Sequence, residues 1–134
     1  MPRLTCWAIR LALIHLVLGF TLGGWLLCSK ASSACAGAWP LLPLHVELLL
    51  LGWTAQLAMA VAYWILPRFA GGIRSRETAA WLSFVLLNLG VWLAGLTPAL
   101  AGPREMIAAG RALEGMAAVS FAVHAWPRVK KFGT

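Results

Sequence analysis

Four long apolar runs, separated by short polar stretches, leave this chain few ways to fold. Crossing a hydrocarbon core of about 30 Å takes roughly 20 residues at a helical rise of about 1.5 Å each. The runs from about Trp7 to Cys28, Leu44 to Leu66, Thr78 to Thr97 and Glu105 to Trp126 all meet that length. Lipid offers no hydrogen bonds to a bare backbone, so each run must close its own as a helix. Pro40 and Pro43 precede the second run and Pro67 follows it, while Pro98 and Pro127 close the third and fourth. The expected fold is all-α: a polytopic four-helix membrane bundle forming one domain over residues 1–134. A hydrophobic share of 61% and a mean hydropathy of +0.82 fit lipid better than water as solvent. Apolar runs recur to the end, so the first is expected to remain a helix rather than serve as a cleaved signal.

Eleven Lys or Arg face four acidic residues, for a formal charge of +7. Such a balance would suit nucleic acid if it formed one basic face, but the charges lie in short loops and tails between apolar runs, as topology determinants do. No nucleic-acid partner is expected. Arg3, Arg10, Arg68, Arg74, Arg76, Arg128, Lys130 and Lys131 fall on one side of the expected bundle, and only Lys30, Arg104 and Arg111 on the other. That bias predicts that both termini are cytoplasmic. Trp7, Trp25, Trp39, Trp64, Trp81 and Trp126 lie near run ends, where indole rings anchor at the interface, whereas Trp53 and Trp92 lie deeper.

The fourth run carries Arg111 and Glu114 at membrane depth, where charges facing lipid are costly. A spacing of three puts them on one helix face, able to pair. Ala108, Ala109, Gly110, Ala112, Gly115, Ala117 and Ala118 permit close helix packing, so this helix is expected inside the bundle. Cys28 and Cys35 bracket the first outer loop and form either a disulfide there or two unpaired thiols. No Cys-x-x-Cys pair, nucleophile–base arrangement, phosphate loop or paired-carboxylate site is legible.

The second run holds the most chemistry. At about 100° per residue, His45, Leu49, Gly52, Gln56, Met59 and Tyr63 form one stripe, all within about 40° of a common line. Gly52 removes a side chain below His45, which lets a flat ring approach the backbone. Glu47 points about 160° away from His45 by the same rotation, so one ligand cannot use both. Three histidines are present. His45 stands at the outer start of the second helix, His124 near the inner end of the fourth and His15 in the body of the first. Imidazole is the usual axial ligand of a membrane haem b, and His45 and His124 lie too far apart in depth to share an iron. A second ligand must then come from another copy or another subunit. Asn88 and Gln56 are uncharged polar groups expected to bond between helices.

The sequence Pro43-Leu44-His45, a glycine within the next turns, the pair Tyr63-Trp64 and a closing Arg68 resemble the second transmembrane helix of the haem-copper oxidase catalytic subunit. The likeness is greatest to cbb-type oxidases and nitric oxide reductases. In that family the histidine of helix II is an axial ligand of the low-spin haem on the outer side. The resemblance therefore implies haem b, or less readily copper or another metal ion, bound through His45, with Gly52 and Gln56 lining the cofactor site. It also implies electron transfer or sensing in a respiratory context, in the inner membrane of a bacterium. The family's subunit has twelve helices in three arcs of four, with further histidines on later helices. This chain resembles one arc and has no His-His pair. A homo-oligomer, a trimer in particular, or a place among respiratory complex subunits is the matching expectation. Two other readings compete: a cofactor-free accessory subunit, and a small channel or transporter using Arg111, Glu114 and Gln56.

Overall fold

The computed structural model describes residues 1–67 and 77–129. Among them, four helices are long and apolar enough to span a membrane: α1 (Arg3–Ala31), α2 (Trp39–Ile65), α3 (Glu77–Ala99) and α4 (Arg104–Arg128). Five basic residues used for the orientation argument, Arg68, Arg74, Arg76, Lys130 and Lys131, lie outside the described residues, as does the closing Arg68 of the helix II pattern.

Each helix runs longer than the sequence suggests, for a local reason. Pro40 and Pro43 do not precede α2 but stand within its opening turns, a single 3-10 turn over Trp39–Leu41 leading into α-helix over Leu42–Glu47. First-turn residues have no intrahelical N–H bond to lose, so proline is tolerated there. Likewise Pro98 sits in the last turn of α3, which continues to Ala99. Between α1 and α2, Gly37 adopts a φ of +92°, which favours glycine, and Cys28 is joined to Cys35 by a disulfide.

Within α2, residues Leu48–Ala55 wind as a π-helix before α geometry resumes at Gln56–Ile65. The Thr54 hydroxyl donates to the Leu49 carbonyl at 2.8 Å across this stretch. Such wide turns are rare and concentrate at functional positions.

The helices pack chiefly on their neighbours in sequence, α1 on α2, α2 on α3 and α3 on α4. One core joins Leu44 and Leu48 of α2 to Leu87 and Val91 of α3 and Ala117 of α4. A second gathers Leu4, Tyr63 and Ala80 at the opposite end. The α3–α4 contact is the closest. A Cβ on Gly110 would stand 2.7 Å from the Ala94 nitrogen, and one on Gly90 would stand 2.9 Å from the Gly110 carbonyl. The Ser83 hydroxyl crosses the same seam to the Ala117 carbonyl at 2.8 Å.

The expectation that the fourth helix lies within the bundle is corrected. Only 11% of the most apolar window of α4 is buried, the smallest share of the four. Gly110 and Ala117 face α3, while Ala108, Ala109, Ala112, Gly115 and Ala118 are exposed. Small residues run all the way around this helix, so their presence could not say which face is covered.

Candidate functional site

Four residues of the His45 stripe, His45, Leu49, Gly52 and Gln56, meet α1. Gly19 and Gly23 remove side chains from α1 where α2 crosses. A Cβ on Gly19 would stand 2.5 Å from Leu49, and one on Gly23 would stand 2.7 Å from Cε1 of His45. The imidazole therefore lies close against the backbone of α1, and its Nδ1 donates to the Gly19 carbonyl at 2.8 Å. That bond assigns the proton to Nδ1 and leaves the Nε2 lone pair free. His45 is half-buried, and Nε2 has no hydrogen-bond partner among the described residues.

His45 lines an open groove of about 590 Å³ between α1 and α2. The other walls are almost wholly apolar: Phe20, Gly23, Gly24, Leu26, Leu27, Leu42 and Leu49, with Trp39 and Lys30 at the rim. The Lys30 ammonium stands 5.3 Å from the centre of the Trp39 ring. A volume of this order holds a cofactor-sized planar molecule.

His15 repeats the arrangement in the opposite sense. Its Nδ1 bonds to the carbonyl of Gly52, in the π-helical stretch of α2, at 2.9 Å. Each of the two helices thus lends an imidazole to a glycine carbonyl of the other. His15 is fully enclosed, with Trp92 at 5.9 Å between ring centres, and its Nε2 is buried without a hydrogen-bond partner among the described residues. A Cβ on Gly52 would stand 2.6 Å from Nδ1 of His15, so the flat ring that Gly52 admits is that of His15. Gln56 donates to the Ala8 carbonyl of α1 at 2.9 Å, bonding two helices. Neither Gly52 nor Gln56 lines the His45 groove. Asn88 bonds within its own helix, to the Phe84 carbonyl at 2.7 Å.

His124 belongs to a separate network at the far end. Arg128 donates to Nε2 of His124 at 2.6 Å, to the Pro67 carbonyl at 2.9 Å and to the carbonyls of Tyr63 and Leu66 at 3.3 and 2.5 Å. Tyr63 stacks on His124 at 5.1 Å and its hydroxyl donates to Glu77 at 2.9 Å. Arg128 therefore caps the carbonyl end of α2 and ties α4 to it. Sequence reading took Arg128 only as a topology charge, because the carbonyls it satisfies are more than 60 residues away.

The expected Arg111–Glu114 pair forms at 3.0 Å, and a third member joins it: Glu47 of α2 meets Arg111 at 2.5 Å. The signal for Glu47 was its rotation away from His45, which turns it toward α3 and α4. Gln56 faces α1 instead, so it does not meet Arg111 and Glu114.

No family model, curated protein or solved structure matches the chain. What the fold itself defines is an all-helical chain with four candidate membrane spans, the build of a multi-pass membrane protein.

Proposed function

We propose that His45 binds haem b through Nε2 in the groove between α1 and α2, making the chain a small membrane electron carrier or haem-based sensor. The observation that carries this is the Nδ1 bond to the Gly19 carbonyl, which holds the ring against α1 with Nε2 free beside an apolar groove. A backbone carbonyl on the second nitrogen is the usual support of a ligating histidine, fixing its tautomer and raising its basicity. A porphyrin brings four nitrogens of its own and needs only an axial ligand from the protein, whereas copper or another bare ion needs several. Among the described residues, no group of three or more His, Cys, Asp or Glu converges to hold an ion, which favours haem over a bare metal. Lys30 at the rim suits an acid substituent on such a ligand.

The chain's own work is to orient the imidazole, exclude water with Phe20, Leu26 and Leu49, and offer a cation at the mouth. A bound haem would supply one-electron exchange. Neither of the other two histidines is placed to share a haem with His45, since His15 is enclosed against Gly52 and His124 is engaged by Arg128 at the opposite end. This supports a homo-oligomer, with a trimer as the arrangement the family resemblance suggests, or a place beside respiratory subunits. The Cys28–Cys35 disulfide and the eight-to-three charge bias support an outward-facing groove and cytoplasmic termini; with the proposed respiratory role, the compartment is the inner membrane of a bacterium. Purified protein supplied with haem should show a Soret band that His45→Ala abolishes. A colourless preparation favours the cofactor-free accessory subunit.

A further inference from the structure

Glu114 faces a charge problem that its surroundings do not solve. It lies ten residues into α4, about 15 Å along the helix at a rise of about 1.5 Å, and is 9% exposed. One guanidinium serves two carboxyl groups: Arg111 meets Glu47 through Nη2 at 2.5 Å and Glu114 through Nη1 at 3.0 Å. With both acids ionised the group carries a net charge of −1 away from water, a state that low dielectric penalises heavily. Glu47 holds the shorter contact and is itself buried.

An independent observation points to Glu114 as the place where the imbalance is relieved. Its Oε1 is buried with no hydrogen-bond partner among the described residues, although an ionised carboxylate needs donors on both oxygens. A carboxylic acid reverses that need, because its O–H is a donor, and the Glu47 carboxylate stands within hydrogen-bonding reach as the acceptor. Among the described residues, the titratable groups acting on Glu114 are Glu47 from α2 and Arg111 from its own helix. The α3 face against it is Gly90, whose missing side chain makes room for the Glu114 stem.

We infer that Glu114 is a proton-binding site within the membrane, a neutral acid at physiological pH that donates to Glu47 while Glu47 and Arg111 remain an ion pair. One proton brings the three side chains to zero net charge and gives the buried oxygen a partner. The half-exposed Arg111 side chain forms the outer edge of the group, where the proton enters and leaves. The inference does not depend on haem at His45, which faces α1 on the other side of α2.

Infrared spectroscopy of the full-length protein in lipid nanodiscs, in sodium-free buffer at neutral pH, tests it directly. The chain has only four acidic side chains, and Glu77 and Glu105 are exposed. The expected result is a protonated-carboxyl carbonyl band worth one group per chain, shifted in heavy water and lost in Glu114→Gln. Glu114→Asp, which keeps the acid, should move the band without removing it. Absence of the band from the wild-type protein overturns the inference. So does a band that neither substitution alters.

Discussion

Replacing Gly110 and Gly115 separately with alanine should change stability in opposite directions, although both lie on α4 and both substitutions favour the helix. The shared gain is about 0.8–1 kcal/mol of intrinsic helix propensity. At Gly115 nothing stands within 4 Å of the new methyl, so the gain is unopposed. At Gly110 the methyl would meet Ala94 at 2.7 Å from its nitrogen, 2.9 Å from its Cβ and 3.0 Å from its Cα. Two of these are backbone atoms, so no rotamer change relieves the clash. To restore the usual 3.5–4 Å separation of non-bonded atoms, α4 must withdraw by roughly 1 Å, which forfeits a quarter to a half of each dispersion contact along the seam. Overpacking of this kind costs about 1–3 kcal/mol. Gly110→Ala is therefore expected to lose up to about 2 kcal/mol while Gly115→Ala gains up to about 1. Reversible unfolding in mixed micelles with rising sodium dodecyl sulfate, followed by tryptophan fluorescence, reads the difference. Equal stability of the two variants would refute the packing of α4 on α3 through its Gly110 face.

Three further outcomes follow from other parts of the molecule. Gly23→Ala places a methyl 2.7 Å from Cε1 of His45, displacing the ring from the Gly19 carbonyl, and should weaken haem binding about 10–100-fold in a spectroscopic titration. Arg128→Met should lower stability by about 3 kcal/mol in the same micelle assay, because it strips the donor from the carbonyls of Tyr63, Leu66 and Pro67 and from His124. Reduction of the Cys28–Cys35 disulfide should cost about 2.5 kcal/mol from the entropy of its short loop. The freed thiols should then react in intact spheroplasts with a membrane-impermeant maleimide, whereas reaction only after lysis would reverse the proposed orientation.

The four spans were legible because lipid imposes one length and one backbone solution on every crossing segment. The His45 stripe was legible too, since rotation about a helix places Leu49, Gly52 and Gln56 with it whatever lies opposite. What lies opposite was not. Nothing local says that α1 fills that face, or that His15 is the ring Gly52 admits, because each contact joins residues 26 or more apart. The same limit hid Glu47 behind the visible Arg111–Glu114 pair and hid Arg128 as a cap for α2. The edge position of α4 was misjudged because alanine and glycine permit close approach without requiring it.

The proposed haem site rests on one imidazole, held by the Gly19 carbonyl. The absorption spectrum of the purified full-length protein after haem supply, compared among wild type, His45→Ala and His15→Ala, tests it most directly. Haem held by His45 should give a Soret band in the wild type that is lost in His45→Ala and retained in His15→Ala. A colourless wild type, or a band undiminished in His45→Ala, would contradict it.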